Sequence, residues 1–142
     1  MKLESVLAAK GPKVFTIGPT ATVRDAVAIL IENNIGAVIV VDAERRPLGI
    51  ISERDILREF TRTADILGRQ VDEVMTADVV TGTPADDVQA VLATMTARNF
   101  RHLPVVDDGY LAGMISIRDL VKAQLDEYQG EVETLQTQLM SS

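Results

Sequence analysis

Apolar residues along this chain follow a helical period and then a strand period, and the whole succession is written twice. Val23, Ala26, Val27, Leu30 and Ile31 fall at the i, i+3, i+4, i+7 and i+8 spacing of a helix with one buried face, and Val88, Val91, Leu92 and Met95 repeat that stripe. Before each stripe a short extended segment ends at a proline, VFTIGP or VVTGTP, where the pre-proline residue is pushed away from helical angles. After each stripe comes a β-branched run, GAVIVVD or HLPVVD, then a turn, then a second strand ending in GIIS or GMIS. A second helix follows, with Ile56, Leu57 and Phe60 as its apolar positions in one copy and Leu120, Val121 and Leu125 in the other. Each copy therefore predicts strand, helix, strand, strand, helix.

The two copies align residue by residue. Pro19 faces Pro84, Val23 faces Val88, Leu30 faces Met95 and Asn34 faces Asn99 at a constant spacing of 65 residues, which drops to 64 after the shared VVD because the second turn is one residue shorter. A unit of roughly 45 to 60 residues closes a core poorly on its own. Two such units in a chain of 142 residues would bury their open faces against each other, giving an α/β (α+β) fold with a pseudo-twofold axis and a cleft on either side of it. The expected organisation is an N-terminal segment over 1–13, repeat 1 over 14–62, a linker over 63–78, repeat 2 over 79–126 and a helical tail over 127–142.

The most exact repetition is the phrase GIISERD from Gly49 to Asp55, which returns as GMISIRD from Gly113 to Asp119. Ser52 to Asp55 and Ser116 to Asp119 fit a helix-capping box, and Thr22 to Asp25 carries the same signature. Glycine inside an apolar strand, as at Gly49 and Gly113, marks close approach of another backbone or of a ligand. An aspartate in the first helical turn repels phosphate and is better suited to accepting bonds from a sugar diol, even though a helix N-terminus is otherwise a phosphate site. Serine for a phosphate or sugar oxygen, aspartate for ribose hydroxyls and an aliphatic wall for a base describe a nucleotide pocket.

The T-x-x-x-P start, the VVD strand and G-h-x-S-x-x-D at the strand-to-helix junction together resemble the cystathionine β-synthase (CBS) domain, in the tandem arrangement called a Bateman module. The likeness covers about Val14 to Leu125, and the linker VDEVMTADVVT is similar to the inter-repeat segment of stand-alone bacterial CBS pairs. The resemblance implies two β-α-β-β-α repeats packed through their sheets, with Asp55 and Asp119 holding ribose diols and Ser52 and Ser116 contacting ribose or phosphate. It also implies that Thr16 and Ile17, Thr81, and the strand start at Gly36 and Ala37 flank an adenine. Arg101 and His102, where the second repeat departs from the first, look like the basic pair that some nucleotide-binding members aim at phosphate; which site they serve is open. Arg54 and Arg118 beside the aspartates are further candidates.

Composition narrows the function. There is no cysteine, one histidine, no P-loop, no G-x-G-x-x-G and no second carboxylate beside Asp55 or Asp119 within either motif, so no catalytic set is expected. A net charge of −7 disfavours nucleic acid and anionic lipid, although a local arginine cluster still holds a small anion within a screening length of about 10 Å. No apolar run approaches the roughly 20 residues that span a bilayer, and the N-terminus lacks a signal-peptide core, so a cytoplasmic setting is expected. Leu125, Tyr128, Val132, Leu135 and Leu139 lie at the a and d spacing of a short coiled coil, interrupted by Gly130, which points to a homodimer or to docking on the protein's own body. The expected function is a non-catalytic sensor that binds AMP, ADP or ATP, with NAD(H) or S-adenosylmethionine as alternative ligands, and signals to an unidentified effector protein. The competing expectation is a structural dimerisation module with empty pockets. Loss of Asp55 or Asp119 is expected to weaken its own site by about tenfold or more with little effect on the fold.

Overall fold

The computed structural model of the chain describes residues 1–141; Ser142, the last position of the expected tail, lies outside the described residues. In order the elements are α1 (Leu3–Lys10), β1 (Thr16–Ile17), α2 (Val23–Asn33), β2 (Ala37–Val41), β3 (Pro47–Ser52), α3 (Glu53–Phe60), a single 3-10 turn (Ile66–Gly68), α4 (Val71–Val74), α5 (Val88–Arg98), β4 (His102–Asp107), β5 (Tyr110–Ser116) and α6 (Ile117–Ser141). In repeat 1, β1 runs parallel to β2 and β2 antiparallel to β3; in repeat 2, β4 and β5 form the antiparallel pair. The first strand of repeat 2 shrinks to one bridge, in which Gly82 N–H donates to Pro104 O at 2.9 Å and Val106 N–H donates to Gly82 O at 2.8 Å. Pro104 stands where repeat 1 has Ile39, and its missing N–H would face the first strand, so the ladder there is short while pairing to β5 is intact.

Local chemistry sets the element ends. Thr22 caps α2 through a full capping box with Asp25. Asn34 and Asn99 end α2 and α5 in left-handed conformations, with φ of 51° and 60°, which asparagine tolerates better than most side chains. Asp108 and Gly109, both at positive φ, close the β4–β5 hairpin with the turn that a D-G pair favours.

Among the described residues, three apolar clusters build the molecule. One is the core of repeat 1, where Val23, Ala26 and Leu30 of α2 meet Val38, Val40 and Ile51 of the sheet and Ile66, Val71 and Val74 of the linker. Another is the core of repeat 2, where Val88, Met95, Leu103, Val105, Ile115 and Leu120 enclose Leu3 and Val6 of α1. The third joins the two sheets through Ala37, Ile39, Ile50 and Leu111, with Val14, Val79 and Met114 at its edge. The repeats thus pack through their sheets around a pseudo-twofold axis, and the sheet faces away from that interface carry the helices.

Each repeat is closed by the segment that precedes the other. Leu3 and Glu4 N–H donate to Asp86 and Pro84 carbonyls, and Val88 N–H donates to Met1 O. Val71 and Asp72 make the same bonds to Ala21 and Pro19, and Val23 N–H donates to Arg69 O. The N-terminal segment is therefore the counterpart of the linker, lodged in the core of repeat 2. This exchange accounts for the strand glycines. A Cβ at Gly49 would sit 2.6 Å from Thr76 O and 2.8 Å from Met75 Sδ, and one at Gly113 would sit 2.7 Å from Leu7 Cδ2. Of the two expected close approaches, another backbone or a ligand, Gly49 meets a backbone, and Gly113 meets the Leu7 side chain.

The predicted helix faces need correction at their ends. Ile31, Leu57 and Phe60 are exposed, as are Val121 and Leu125, because α2, α3 and α6 each touch the core along a stripe narrower than the apolar pattern. α3 meets the core through Ile56 and buries Asp55. The tail continues α6 without a break, and its seam from Leu125 to Leu139 is exposed and does not fold back onto the body.

Candidate functional site

The candidate site is built twice, at the β3–α3 and β5–α6 junctions. Ala37 pairs with Ser52 at the edge of repeat 1, and His102 pairs with Ser116 in repeat 2. The residue before each strand is tied to the helix that bears the motif, since Glu53 N–H donates to Gly36 O at 3.0 Å and Ile117 N–H donates to Arg101 O at 2.9 Å. The strand starts, the serines and the aspartates of a repeat are thereby gathered at one corner.

Both motifs form capping boxes, but the two carboxylates have different company. Asp55 uses both oxygens: Oδ2 accepts from Ser52 N–H and from Ser52 Oγ, each at 2.9 Å, and Oδ1 accepts from Thr76 Oγ1 at 2.9 Å, with Arg58 3.8 Å away. Its side chain is 7% exposed. At Asp119, Ser116 N–H and Lys10 Nζ both donate to the same oxygen, Oδ2, at 2.8 Å each, and Lys10 Nζ also donates to Met114 O at 2.8 Å. The Asp119 side chain is 24% exposed. Burial alone would raise the Asp119 carboxyl, but hydrogen bonds from Lys10 and the Ser116 N–H, with the charge of Lys10, outweigh it and hold the group below the usual carboxylate range.

His102 crosses towards the other repeat. A methyl group at Gly36 would lie 3.7 Å from His102 Cε1 and 3.7 Å from Glu53 Oε1, so the imidazole reaches over the start of β2. Burial first, then the charge of Lys10, push His102 below its ordinary value; Asp119 and Glu53 pull the other way, and Arg101 adds to the lowering. At neutral pH the imidazole is therefore largely uncharged, and the cations near this corner are Lys10 and Arg101.

The other expected residues divide between the layers. Ile17 is buried in the core of repeat 1, facing the helices. Alternation places Thr16 on the opposite face with Val14, which joins the interface cluster. Ala37 is fully buried between the sheets. Thr81 is exposed and lines a cavity of about 250 Å³ between the Val80–Gly82 segment and α5. A second concavity of about 390 Å³ lies beside Glu4, Leu7, Pro84 and Ala112. Neither includes a motif serine or aspartate; Thr76 bonds Asp55 and Lys10 bonds Asp119. Arg54, Arg101 and Arg118 are exposed and pair with no carboxylate among the described residues.

Thr76 and Lys10 are the site residues that sequence reasoning missed. The available signal was the likeness of LESVL at residues 3–7 to VDEVM at 71–75, which makes the N-terminal segment part of the repeat.

The model of the CBS domain family matches residues 10–62 and again 71–126. The chain belongs to the CBS domain family. Among solved structures, a CBS-domain containing protein from Agrobacterium tumefaciens is 37% identical, with a TM-score of 0.82 over 87% of this chain and 99% of that one. The CBS domain protein PAE2072 of Pyrobaculum aerophilum, complexed with AMP, is 30% identical, with a TM-score of 0.75 over 84% of this chain and 89% of that one. The CBS domain pair of protein MJ0100, in complex with 5'-methylthioadenosine and S-adenosyl-L-methionine, is 25% identical, with a TM-score of 0.78 over 89% of this chain and 98% of that one. Some curated relatives are much longer: the match spans 39% of a Methanocaldococcus jannaschii protein and 58% of a mitochondrial CBS domain-containing protein of Arabidopsis thaliana. Among the described residues no helix is long and apolar enough to cross a membrane.

Proposed function

We propose that this CBS pair is a non-catalytic sensor that binds an adenosine nucleotide in the cleft between its repeats and signals through a change in conformation or in dimer packing. The observation that carries the reading is the Ser-x-x-Asp motif at both strand-to-helix junctions, with strand starts Gly36–Ala37 and Arg101–His102 beside it. Relatives of the same fold bind AMP in one case and 5'-methylthioadenosine with S-adenosylmethionine in another, which supports an adenosine moiety as the common element. AMP, ADP and ATP rank first because exposed Arg101 and neighbouring Lys10 offer positive charge beside the motif of repeat 2, where a 5' phosphate group would need it. NAD(H) or S-adenosylmethionine is the alternative. A ligand shifts such a module only by binding one arrangement more tightly than another. The output then passes to an effector protein, and the dimer forms through the exposed apolar face of the helices and tail.

Calorimetric titration with AMP, ADP, ATP, NADH and S-adenosylmethionine tests the reading. Saturable binding of one of them names the signal. Heat of dilution alone for all of them would sink the sensor and leave a dimerisation module with empty pockets, for which the exposed seam of α6 speaks.

A further inference from the structure

The two motif corners are chemically unequal, and the inequality bears on which one takes a ligand. Asp55 is buried with both oxygens engaged, and the Thr76 that bonds it is pinned by two backbone bonds to Ile50, of 2.8 and 2.9 Å. A sugar diol can reach that carboxylate only by turning out the Thr76 hydroxyl. Asp119 receives both of its strong bonds on Oδ2 and is several times more exposed, which leaves Oδ1 for a diol.

Lys10 completes this second corner. Its ammonium has three N–H donors, of which two are used, on Asp119 Oδ2 and Met114 O. The third is unspent, and the side chain is 36% exposed at the end of α1. A ribose gripped by its diol directs its 5' substituent away from the carboxylate, within reach of a four-carbon lysine stem. Exposed Arg101 stands beside His102, the strand partner of Ser116, so Lys10 and Arg101 together offset the carboxylates of Asp119 and Glu53 at this corner of a chain that is otherwise strongly acidic.

Resting on the adenosine reading above, we propose that the chain has one competent nucleotide site, at Asp119, and that Lys10 of the N-terminal helix selects ligands with a 5' phosphate over uncharged nucleosides. Asp55, in this scheme, is a clasp for the linker. Because Lys10 belongs to α1, phosphate binding also draws on the segment that closes repeat 2, which gives the ligand a mechanical handle on that core.

The test is calorimetric titration of the full chain with AMP and with adenosine, using wild type, Lys10→Met and Asp119→Asn, each checked for a single cooperative thermal transition well above the titration temperature. The expected result is one AMP per chain, AMP bound at least about tenfold more tightly than adenosine, and binding lost in Asp119→Asn. In Lys10→Met the affinity for AMP falls about tenfold while that for adenosine holds or rises, because methionine keeps the apolar stem and frees Asp119. Two AMP per chain, binding that survives Asp119→Asn, or equal loss for AMP and adenosine in Lys10→Met would each overturn the proposal while leaving the adenosine reading in place. Failure of wild type to bind either compound would overturn both.

Discussion

Asp55 and Asp119 occupy the same place in the motif and do different work. Asp55 ties the linker to repeat 1, so Asp55→Ala should cost about 1 to 2 kcal/mol in urea unfolding, by leaving Ser52 N–H without its cap and removing the bond from Thr76 Oγ1. That replaces the expectation from the motif alone that the fold would hardly notice. Asp119 and His102 should both leave marks on the pH dependence of stability. The folded state holds the Asp119 carboxyl below its usual range, so its contribution is complete above about pH 4 and is lost as pH falls through the depressed value. His102 is held neutral in the fold, whereas the unfolded chain takes up a proton below about pH 6.5. The unfolded state then binds more protons, and stability declines as pH drops below that point. Thermal midpoints above and below it should separate in wild type and converge in His102→Asn; an unchanged slope in the variant would remove His102 as the cause. At this scale the sequence was a good guide to identity and a poor one to environment. Ser-x-x-Asp was legible as a cap, and caps formed at both junctions, but residues 21 and 109 positions away decide which carboxylate is covered.

Helix and strand identities followed from periodicity because side-chain spacing is a local property of the backbone. Their partners did not. α1 and α4 are exchanged between the repeats, and the apolar positions of α1, Leu3 and Val6, serve repeat 2 from the far end of the chain. Leu3→Ala, at a fully buried position, should destabilise by about 2 to 5 kcal/mol, and hydrogen exchange should rise first in α5 and β4, not in repeat 1. The glycines offer a sharper comparison. A methyl at Gly49 meets the backbone oxygen of Thr76, which is fixed in a pairing, while one at Gly113 meets only the end of the Leu7 side chain. Gly49→Ala should therefore lose about 1 to 3 kcal/mol and Gly113→Ala distinctly less, as measured by denaturant midpoints at constant m. Equal losses would mean that the α1 contact is as rigid as the linker contact.

For the molecule as a whole, the unfinished surface is the α6 seam. Leu125, Tyr128, Val132 and Leu135 are each more than half exposed. An isolated helical extension of this length is marginal in water without a partner face. Gln129, Gln136, Gln138 and Glu131 flank the seam, and Asp126, Glu127 and Glu133 fall on its outer side, so in a parallel pair Glu131 faces Gln136 of the other copy and no like charges meet. Light scattering should give twice the chain mass for wild type, and Val132→Asp with Leu135→Asp should reduce it towards the monomer. A wild-type monomer at micromolar concentration would remove the dimer from the proposed mechanism.

The sequence by itself determined the duplication, the order of elements in each repeat, the caps and turns, and the membership of Ser52, Asp55, Ser116 and Asp119 in repeated junctions, because each of these is written in short spacings and local conformational preference. The tertiary structure alone decided that the N-terminal segment completes repeat 2, that the strand glycines admit protein, and that Lys10 and Thr76 stand before the two carboxylates. Those contacts join residues far apart in the chain, where packing and the satisfaction of buried charge, and no local pattern, choose the neighbour.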